Sequence, residues 1–221
     1  MTVTATSSRF TVRTLGRIVL PVVAVAAAVA GCQSSAPAAS HPAAHKESEP
    51  AGNGTPGTVP DVHLLAARQA PAGWHLVTLA DGKAVLAYPP SMHRVTGDRG
   101  SASAAKVSAS GTFVMYLNAT PKQSDETLAD WPHFRIEHLT DEDASSAKLL
   151  AASHGVRFLG GTGTCVIDTY VTREQANRYT ELACFVQGKT GSTVIVAAAP
   201  TADWKNVSGT LTRAVAAFRV R

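Results

Sequence analysis

Two carboxylates, Asp168 and Glu181, are the best-placed pair in this sequence for acid–base chemistry. If Arg173–Ala176 forms a turn, the flanking segments pair as a hairpin, and Asp168 then faces Glu181 on one side of it. Two carboxylates that close could share a proton. Arg173 and Arg178 follow nearby in the chain, so we interpret this side of the hairpin as a solvated, charged face.

The same register opposes Cys165 and Cys184. It also places Ile167, Val171 and Leu182 on the side of the two cysteines, and this side is apolar, as a face that packs on a core should be. Directly opposed residues at a non-hydrogen-bonded pair lie about 4.5 Å apart at Cα, which is within disulfide range. We therefore predict a Cys165–Cys184 disulfide; two buried thiols are the alternative.

Other patterns that indicate catalysis, cofactors or metals are not found in the sequence. There is no G-x-S-x-G motif, and Gly160-Gly161-Thr162-Gly163, although similar to a phosphate loop, precedes a predicted strand instead of a helix. His41 and His45 are four apart, but Pro42 argues against a helix there. No metal-ligand spacing links the remaining histidines, which are His63, His75, His93, His133, His138 and His154. The sequence predicts no catalytic residue, no metal site and no cofactor.

Most of the segment that contains the candidate residues has the sequence pattern of β-strands. Asp81-Gly82 is a strong hairpin turn, and Gly160-Gly161 predicts a bulge or kink inside a long extended run. Gly97–Gly111, rich in Ser, Ala and Gly, is predicted to be a long loop. The predicted strands are Trp74–Leu79, Ala84–Tyr88, Thr112–Asn118, Val156–Val171, Tyr179–Gln187, Ser192–Ala199 and Phe218–Val220.

Three segments carry helix signals. Ser124 precedes two acids and predicts a helix that ends near Trp131, whereas Thr140 precedes a longer acidic run and predicts a helix that ends at Gly155. Phe134–His138 fits either a strand or a helix. A third helix follows Pro200-Thr201, with an apolar stripe at Trp204, Val207, Leu211, Val215 and Phe218. The predicted fold class is α+β, with a mainly antiparallel sheet and helices packed on it.

The basic charge of the chain is concentrated at its N-terminus. The 221 residues carry a net charge of +4, but Arg9, Arg13 and Arg17 lie in the first 17 residues and no acid precedes Glu47. Without residues 1–31 the chain is close to neutral, and this excludes the basic footprint of a nucleic-acid-binding protein. Hydrophobic residues make up 45% of the sequence, enough for a buried core.

The N-terminal segment has the pattern of a secretory signal. An apolar run, Ile18–Ala30, follows the Arg-bearing segment and is too short to span a bilayer comfortably, although an uncleaved anchor is the alternative. Val29-Ala30-Gly31-Cys32 resembles the lipobox of bacterial lipoproteins. The resemblance implies cleavage between Gly31 and Cys32 and a diacylglycerol on Cys32, which would hold the protein at the extracytoplasmic face of the cell membrane.

The rest of the chain divides into a tether and one domain. Residues 32–60 are rich in Pro, Gly, Ser and Ala, and Val59 is the only larger aliphatic residue after Cys32 in this segment. This composition predicts a disordered tether with a reach of about 30 Å. Residues 61–221 are predicted to form a single globular domain.

The late strands and the last helix resemble the PsbP-like fold, an α/β/α sandwich. The residues that carry the resemblance are Val85-Leu86-Ala87-Tyr88-Pro89-Pro90, Val194–Pro200, Trp204 and Phe218-Arg219-Val220. That fold hosts binding and assembly roles without one shared chemistry, so no functional residue is implied. Thirteen Arg against seven Lys and abundant Ala suggest an actinobacterial lipoprotein.

The function expected from these patterns is a non-catalytic domain that binds a small ligand or an envelope protein. Two alternatives stay open: a factor that assembles an envelope complex, and a secreted enzyme whose site is built from distant residues. The membrane is an expected partner through the lipid anchor, and nucleic acid is not.

Overall fold

The computed structural model describes residues 59–64, 66–142 and 144–221. The predicted signal peptide (residues 1–31), the lipobox with Cys32, and His41 and His45 in the tether lie outside the described residues.

The described part of the chain contains ten strands and two helices. The predicted strands at both ends of the domain and the predicted third helix are confirmed, with shifts of a few residues at their ends. The elements are β1 His75–Thr78, β2 Ala84–Tyr88, β3 His93–Val95, β4 Ala102–Val107, β5 Phe113–Pro121, α1 Trp131–Glu142, β6 Ala144–Phe158, β7 Gly161–Thr172, β8 Arg178–Gln187, β9 Ser192–Pro200, α2 Trp204–Ala216 and β10 Arg219–Val220.

The strands form two sheets. The larger has seven strands in the order β3-β4-β5-β9-β8-β7-β6, and the smaller has three in the order β1-β2-β10. Every pairing between neighbouring strands in the two sheets is antiparallel. The predicted α+β class, with a mainly antiparallel sheet and helices packed on it, is confirmed.

One helix packs on each face of the large sheet. Because side chains along a strand alternate between the two faces, β9 contributes to two separate cores. Ile195 of β9 belongs to the core that also contains Leu211 and Val215 of α2. Its neighbours Val194 and Val196 belong to a second core with Trp131 of α1 and are packed on the opposite face. The apolar run of β9 is therefore buried on both sides.

The β7–β8 hairpin has the predicted register. Cys165 faces Cys184, Ile167 faces Leu182, and Val171 pairs with Arg178. Cys165 and Cys184 form a disulfide with their Cα atoms 4.1 Å apart, and both are fully buried on the α2 side of the sheet. The hydrophobic alternation thus identified both the register and the bond.

Two helix predictions, one loop prediction and one strand prediction are wrong. The run Val156–Val171, predicted as one strand with a bulge or kink at Gly160-Gly161, is the end of β6, a turn at Gly160 and most of β7. Residues 124–130 are not helical, and the helix expected between Thr140 and Gly155 is replaced by the end of α1 and by β6. β6 pairs along β7 with three register shifts, and these long-range hydrogen bonds override the local acidic signal. The predicted loop Gly97–Gly111 contains β4, whose small Ala and Ser side chains are buried against β5.

Glycines between β6 and β8 allow close backbone packing, and they do not form a phosphate cradle. A Cβ on Gly160 would lie 2.1 Å from the carbonyl oxygen of Val220, and one on Gly161 would lie 2.2 Å from that of Gln187. Val220 also donates its amide to the carbonyl oxygen of Leu159, at 2.9 Å. The absence of a side chain at Gly160 therefore lets β10 dock beside the start of β7.

We expect Gly160→Ala to lower the free energy of unfolding by about 2–3 kcal/mol, because it adds a collision to a left-handed backbone. The matched control is Gly111→Ala: its φ of +85° is close to the +90° of Gly160, but no atom lies within 4 Å of the added Cβ. The control should cost about 1 kcal/mol from backbone conformation alone. Urea unfolding measures both, and equal losses would contradict the close approach.

Candidate functional site

The face of the hairpin that carries Asp168 and Glu181 is buried. The two residues are directly opposed, as predicted, but they are only 0% and 1% exposed. The interpretation of this side as a solvated face is therefore wrong. Arg173 and Arg178 are exposed, and the Arg173 guanidinium instead donates to the carbonyl oxygens of Thr140 and Ala144 around the end of α1.

Arg135 of α1 provides the positive charge beside this pair of carboxylates. Its Nε and Nη2 both donate to Oε1 of Glu181, each at 2.6 Å. The Arg135 side chain is 12% exposed. Burial lowers its pKa, but the charges of Glu181 and Asp168 outweigh burial and raise it, so the guanidinium stays charged.

Trp131, one turn before Arg135, holds α1 in place on the sheet. Its indole N–H donates to the carbonyl oxygen of Ala183 at 3.1 Å, and its ring stacks on Phe185 with centroids 5.8 Å apart. Both contacts are to β8, the strand that also carries Glu181. The helix therefore presents Arg135 to Glu181 through a fully buried anchor.

Asp168 completes the cluster as a neutral acid. Burial, and then the charge of Glu181, raise its pKa to about 9, and the charge of Arg135 only partly opposes them. As a carboxylate, Asp168 would leave both oxygens without a hydrogen-bond partner in this structure. A protonated Asp168 has a hydroxyl that can donate to Glu181, and the cluster of Arg135, Glu181 and Asp168 is then neutral overall.

Two tyrosines extend this layer toward the hairpin end. Tyr170 and Tyr179 stack with ring centroids 5.6 Å apart. Burial and then the charge of Glu181 raise the pKa of Tyr170, so its phenol is neutral at physiological pH. A hollow of about 480 Å³ opens beside them between the end of α1 and the hairpin turn.

A larger cavity of about 620 Å³, which we call the groove, lies between α1 and strands β5, β9 and β8. Its apolar floor comes from β9, and Glu181 and Arg135 lie at its α1 side. Its polar rim comes from α1 and from the loops before β4 and after β5. The lining residues include Asp98, Tyr116, Glu126, Phe134, Arg135, Glu137, Asp141, Glu142, Tyr170, Glu181, Val194, Val196 and Ala198.

The histidines are distributed singly or paired with glutamates. His133 lies 3.2 Å from Glu137 and His138 lies 3.3 Å from Glu142, both as i, i+4 pairs on α1. No group of three or more His, Cys, Asp or Glu side chains that could hold a metal occurs within residues 59–64, 66–142 and 144–221.

The sequence predicted two members of the buried cluster, Asp168 and Glu181, but it did not predict Arg135 or the groove. The missed signal was physical: an opposed pair of carboxylates on a face that packs under a helix requires a cation or a proton. Phe134–His138, which fitted strand or helix equally well, lies within α1 and supplies that cation. Had this segment been assigned as a helix, Arg135 would have been its only arginine.

Comparisons with known proteins identify the fold. No protein-family model matches the chain, and no curated protein matches it in sequence. The solved structure of cyanobacterial PsbP from Synechocystis sp. PCC 6803 matches with a TM-score of 0.50 and 13% identity, over 69% of this chain and 95% of that one. A protein of unknown function from Pseudomonas aeruginosa matches with a TM-score of 0.38 and 10% identity, over 65% and 94%. The fold is PsbP-like, as the sequence resemblance indicated.

In the described part of the chain, neither helix has the length and apolarity needed to cross a membrane.

Proposed function

We propose that this protein is a lipid-anchored lipoprotein of the extracytoplasmic membrane face, and that its PsbP-like domain binds a ligand or partner in the groove without catalysing a reaction. The observation that carries the proposal is the groove, with the guanidinium of Arg135 held rigidly at its α1 side by Glu181. Concave sites with an apolar floor and a few fixed polar groups are typical of binding domains.

The burial of the carboxylates favours binding over acid–base catalysis. A general acid or base must reach the proton that it transfers. Glu181 is 1% exposed and is occupied by Arg135, while Asp168 is fully buried beneath this pair. We therefore infer that the two carboxylates hold Arg135 in position and do not transfer protons.

Anchoring through Cys32 is compatible with an open groove. Pro60 accepts a hydrogen bond from the amide of Ala152 at 2.9 Å, and Val62 donates its amide to Oγ of Ser153 at 2.8 Å. The chain therefore enters the domain along the β6 edge of the sheet, whereas the groove lies over β8, β9 and β5.

Lipidation is tested by labelling cells with a clickable fatty acid. We expect the wild-type protein to incorporate the label and Cys32→Ala to lose it, because the thiol is the attachment point. Cys32→Ala should also be released, or be retained only through its uncleaved signal. Equal labelling of the two proteins would contradict the anchor.

Binding in the groove is tested by placing a photo-crosslinking phenylalanine analogue at Tyr116 in cells. Illumination should yield an adduct there and none from the same analogue at Leu76, which is 63% exposed on β1 and does not line the groove. A small mass increase would indicate a small ligand, and a protein-sized adduct would favour the assembly role. Equal or absent adducts at both positions, in variants that unfold like the wild type, would overturn the proposal.

A further inference from the structure

One end of the domain, which we call the basic end, carries cations without matching acids. It consists of the turns β1–β2, β6–β7 and β8–β9, the residue after β5 and the first residue of β10. Asp81 is the only acid in these segments. Their cations, counting the last residues of the strands before each turn, are Lys83, Lys122, Arg157, Lys189 and Arg219.

The register of the large sheet places the basic end at one level across five strands. Arg157 of β6 pairs with Thr162, which pairs in turn with Gln187. Gln187 pairs with Ser192 of β9, and the carbonyl oxygen of Ser192 accepts the amide of Lys122 at 3.0 Å. Neighbouring strands lie about 4.8 Å apart, so the row from Arg157 to Lys122 is about 20 Å long.

Backbone contacts bring the small sheet to the same end. Thr190 of the β8–β9 turn donates its amide to the carbonyl oxygen of Arg221, and Arg221 donates its own amide to that of Lys83, both at 2.9 Å. The Lys83 side chain lies beside the same turn, because a Cβ on Gly191 would be 3.3 Å from its Nζ. Lys83 and Lys189 are therefore on adjacent turns.

Three of the five cations form no ion pair among the residues that the structure describes. Arg157 and Lys189 are exposed. Lys122 is also exposed, and its Nζ lies 5.9 Å from the ring centroid of Phe185, a contact that leaves its charge without a counterion. These three charges are open to an external anion.

The other two cations have internal contacts that hardly reduce this charge. Lys83 lies 3.5 Å from Asp81, but the side chains are 40% and 27% exposed, and such a surface pair is weak. The Arg219 guanidinium donates to Oε1 of Gln69 at 2.7 Å, and this amide is neutral.

At the opposite end of the sheet, acids balance the cations. The exposed cations there are Lys106, Arg173, Arg178 and Lys205, and the acids are Asp141, Glu142, Glu174 and Asp203. The domain is therefore polar along its strands, and a negatively charged surface would attract it by the basic end.

On these observations, and on the lipid anchor of the proposed function, we propose that the basic end docks on the anionic phospholipid headgroups of the membrane that holds the anchor. Cations spread along a row of about 20 Å match a surface of many phosphates, whereas a single small anion needs converging donors. The tether keeps the domain at a high effective concentration near that surface, so a modest attraction orients it.

The test uses the full acylated chain reconstituted in vesicles of phosphatidylcholine, alone or mixed with phosphatidylglycerol, that carry a nitroxide on some headgroups. A fluorophore is attached at Gln187→Cys in the basic end or, as the control, at Ala109→Cys in the β4–β5 turn of the opposite end. Cys165 and Cys184 are joined in a disulfide and Cys32 carries the anchor, so the introduced thiol is the only labelled site.

We expect phosphatidylglycerol to increase quenching at position 187 and not at position 109. Raising NaCl from about 0.1 M to about 1 M should abolish the increase, because the Debye length falls from about 10 Å to about 3 Å.

Two triple variants show which charges are responsible. Each cation near an anionic surface contributes about fivefold, so Lys122→Gln/Arg157→Gln/Lys189→Gln should lower the ratio of docked to undocked protein about a hundredfold. Lys106→Gln/Arg178→Gln/Lys205→Gln removes three exposed cations from the opposite end and should dock as the wild type does.

Equal quenching at the two positions, no dependence on phosphatidylglycerol, or equal losses in the two triple variants would overturn the docking. Flotation of the same vesicles reports the anchor separately. A chain that does not float with neutral vesicles would refute the anchor and this inference with it, whereas a floating chain with equal quenching would refute the docking alone.

Discussion

Replacing Arg135 with methionine should lower the free energy of unfolding by about 3–5 kcal/mol, the cost of leaving a buried charge without its partner. Glu181 would lose both hydrogen bonds from the guanidinium and would keep only the proton of Asp168. Methionine retains much of the length of the arginine side chain, so the loss would reflect charge more than packing. Urea unfolding followed by tryptophan fluorescence measures the effect.

Two further variants identify the cause of this loss. Arg178→Met removes an exposed arginine from β8 and should cost less than about 1 kcal/mol. Arg135→Met/Glu181→Leu removes both charges and should recover most of the stability, because an apolar pair avoids the desolvation penalty. A single variant as stable as Arg178→Met, or a double variant no better than Arg135→Met, would contradict the buried ion pair.

The ion pair explains why the groove has a defined shape. α1 contacts β8 through Trp131 at its first turn and through Arg135 one turn later. The side chains between the helix and β9 then bound the groove at fixed positions. Loss of the pair should therefore weaken binding in the groove as well as stability.

The alternation of apolar and polar residues along the hairpin was sufficient to predict β8, its register with β7 and the disulfide, although not the start of β7 at Gly161. A one-residue shift would have moved Cys165 and Asp168 to the wrong faces, so the apolar pattern had only one consistent solution. The same reasoning placed Asp168 and Glu181 on one face but could not tell whether a helix covered it. That information resides in long-range packing.

The errors in the middle of the chain have a common origin. An acidic run after Thr140 is typical of the first turn of a helix, but here its first two residues, Asp141 and Glu142, lie at the end of α1. Arg173 compensates by donating to carbonyl oxygens at that helix end, a contact between residues 33 positions apart. The extended conformation of β6 likewise depends on pairing with β7, which local propensity does not contain.

The protonated state of Asp168 should make the stability of the protein fall as pH rises. Its folded-state pKa is about 9, against an ordinary value of 3.8. Between about pH 5 and pH 8 the folded protein holds a proton at Asp168 that the unfolded chain releases. Each pH unit in this window therefore costs about 1.4 kcal/mol from this residue alone, and the loss levels off once the folded state also deprotonates, near pH 9.

Asp168→Asn isolates this contribution, because the amide does not titrate and can still donate to Glu181. Other groups titrate alike in both proteins, so the difference in free energy of unfolding, variant minus wild type, should grow by about 4 kcal/mol from pH 5 to pH 8. Asp61→Asn, at an exposed aspartate, should run parallel to the wild type over the same range. Urea unfolding at four pH values gives the three curves. A constant difference between Asp168→Asn and the wild type would mean that Asp168 is ionised in the folded protein and that Arg135 is shared by two carboxylates.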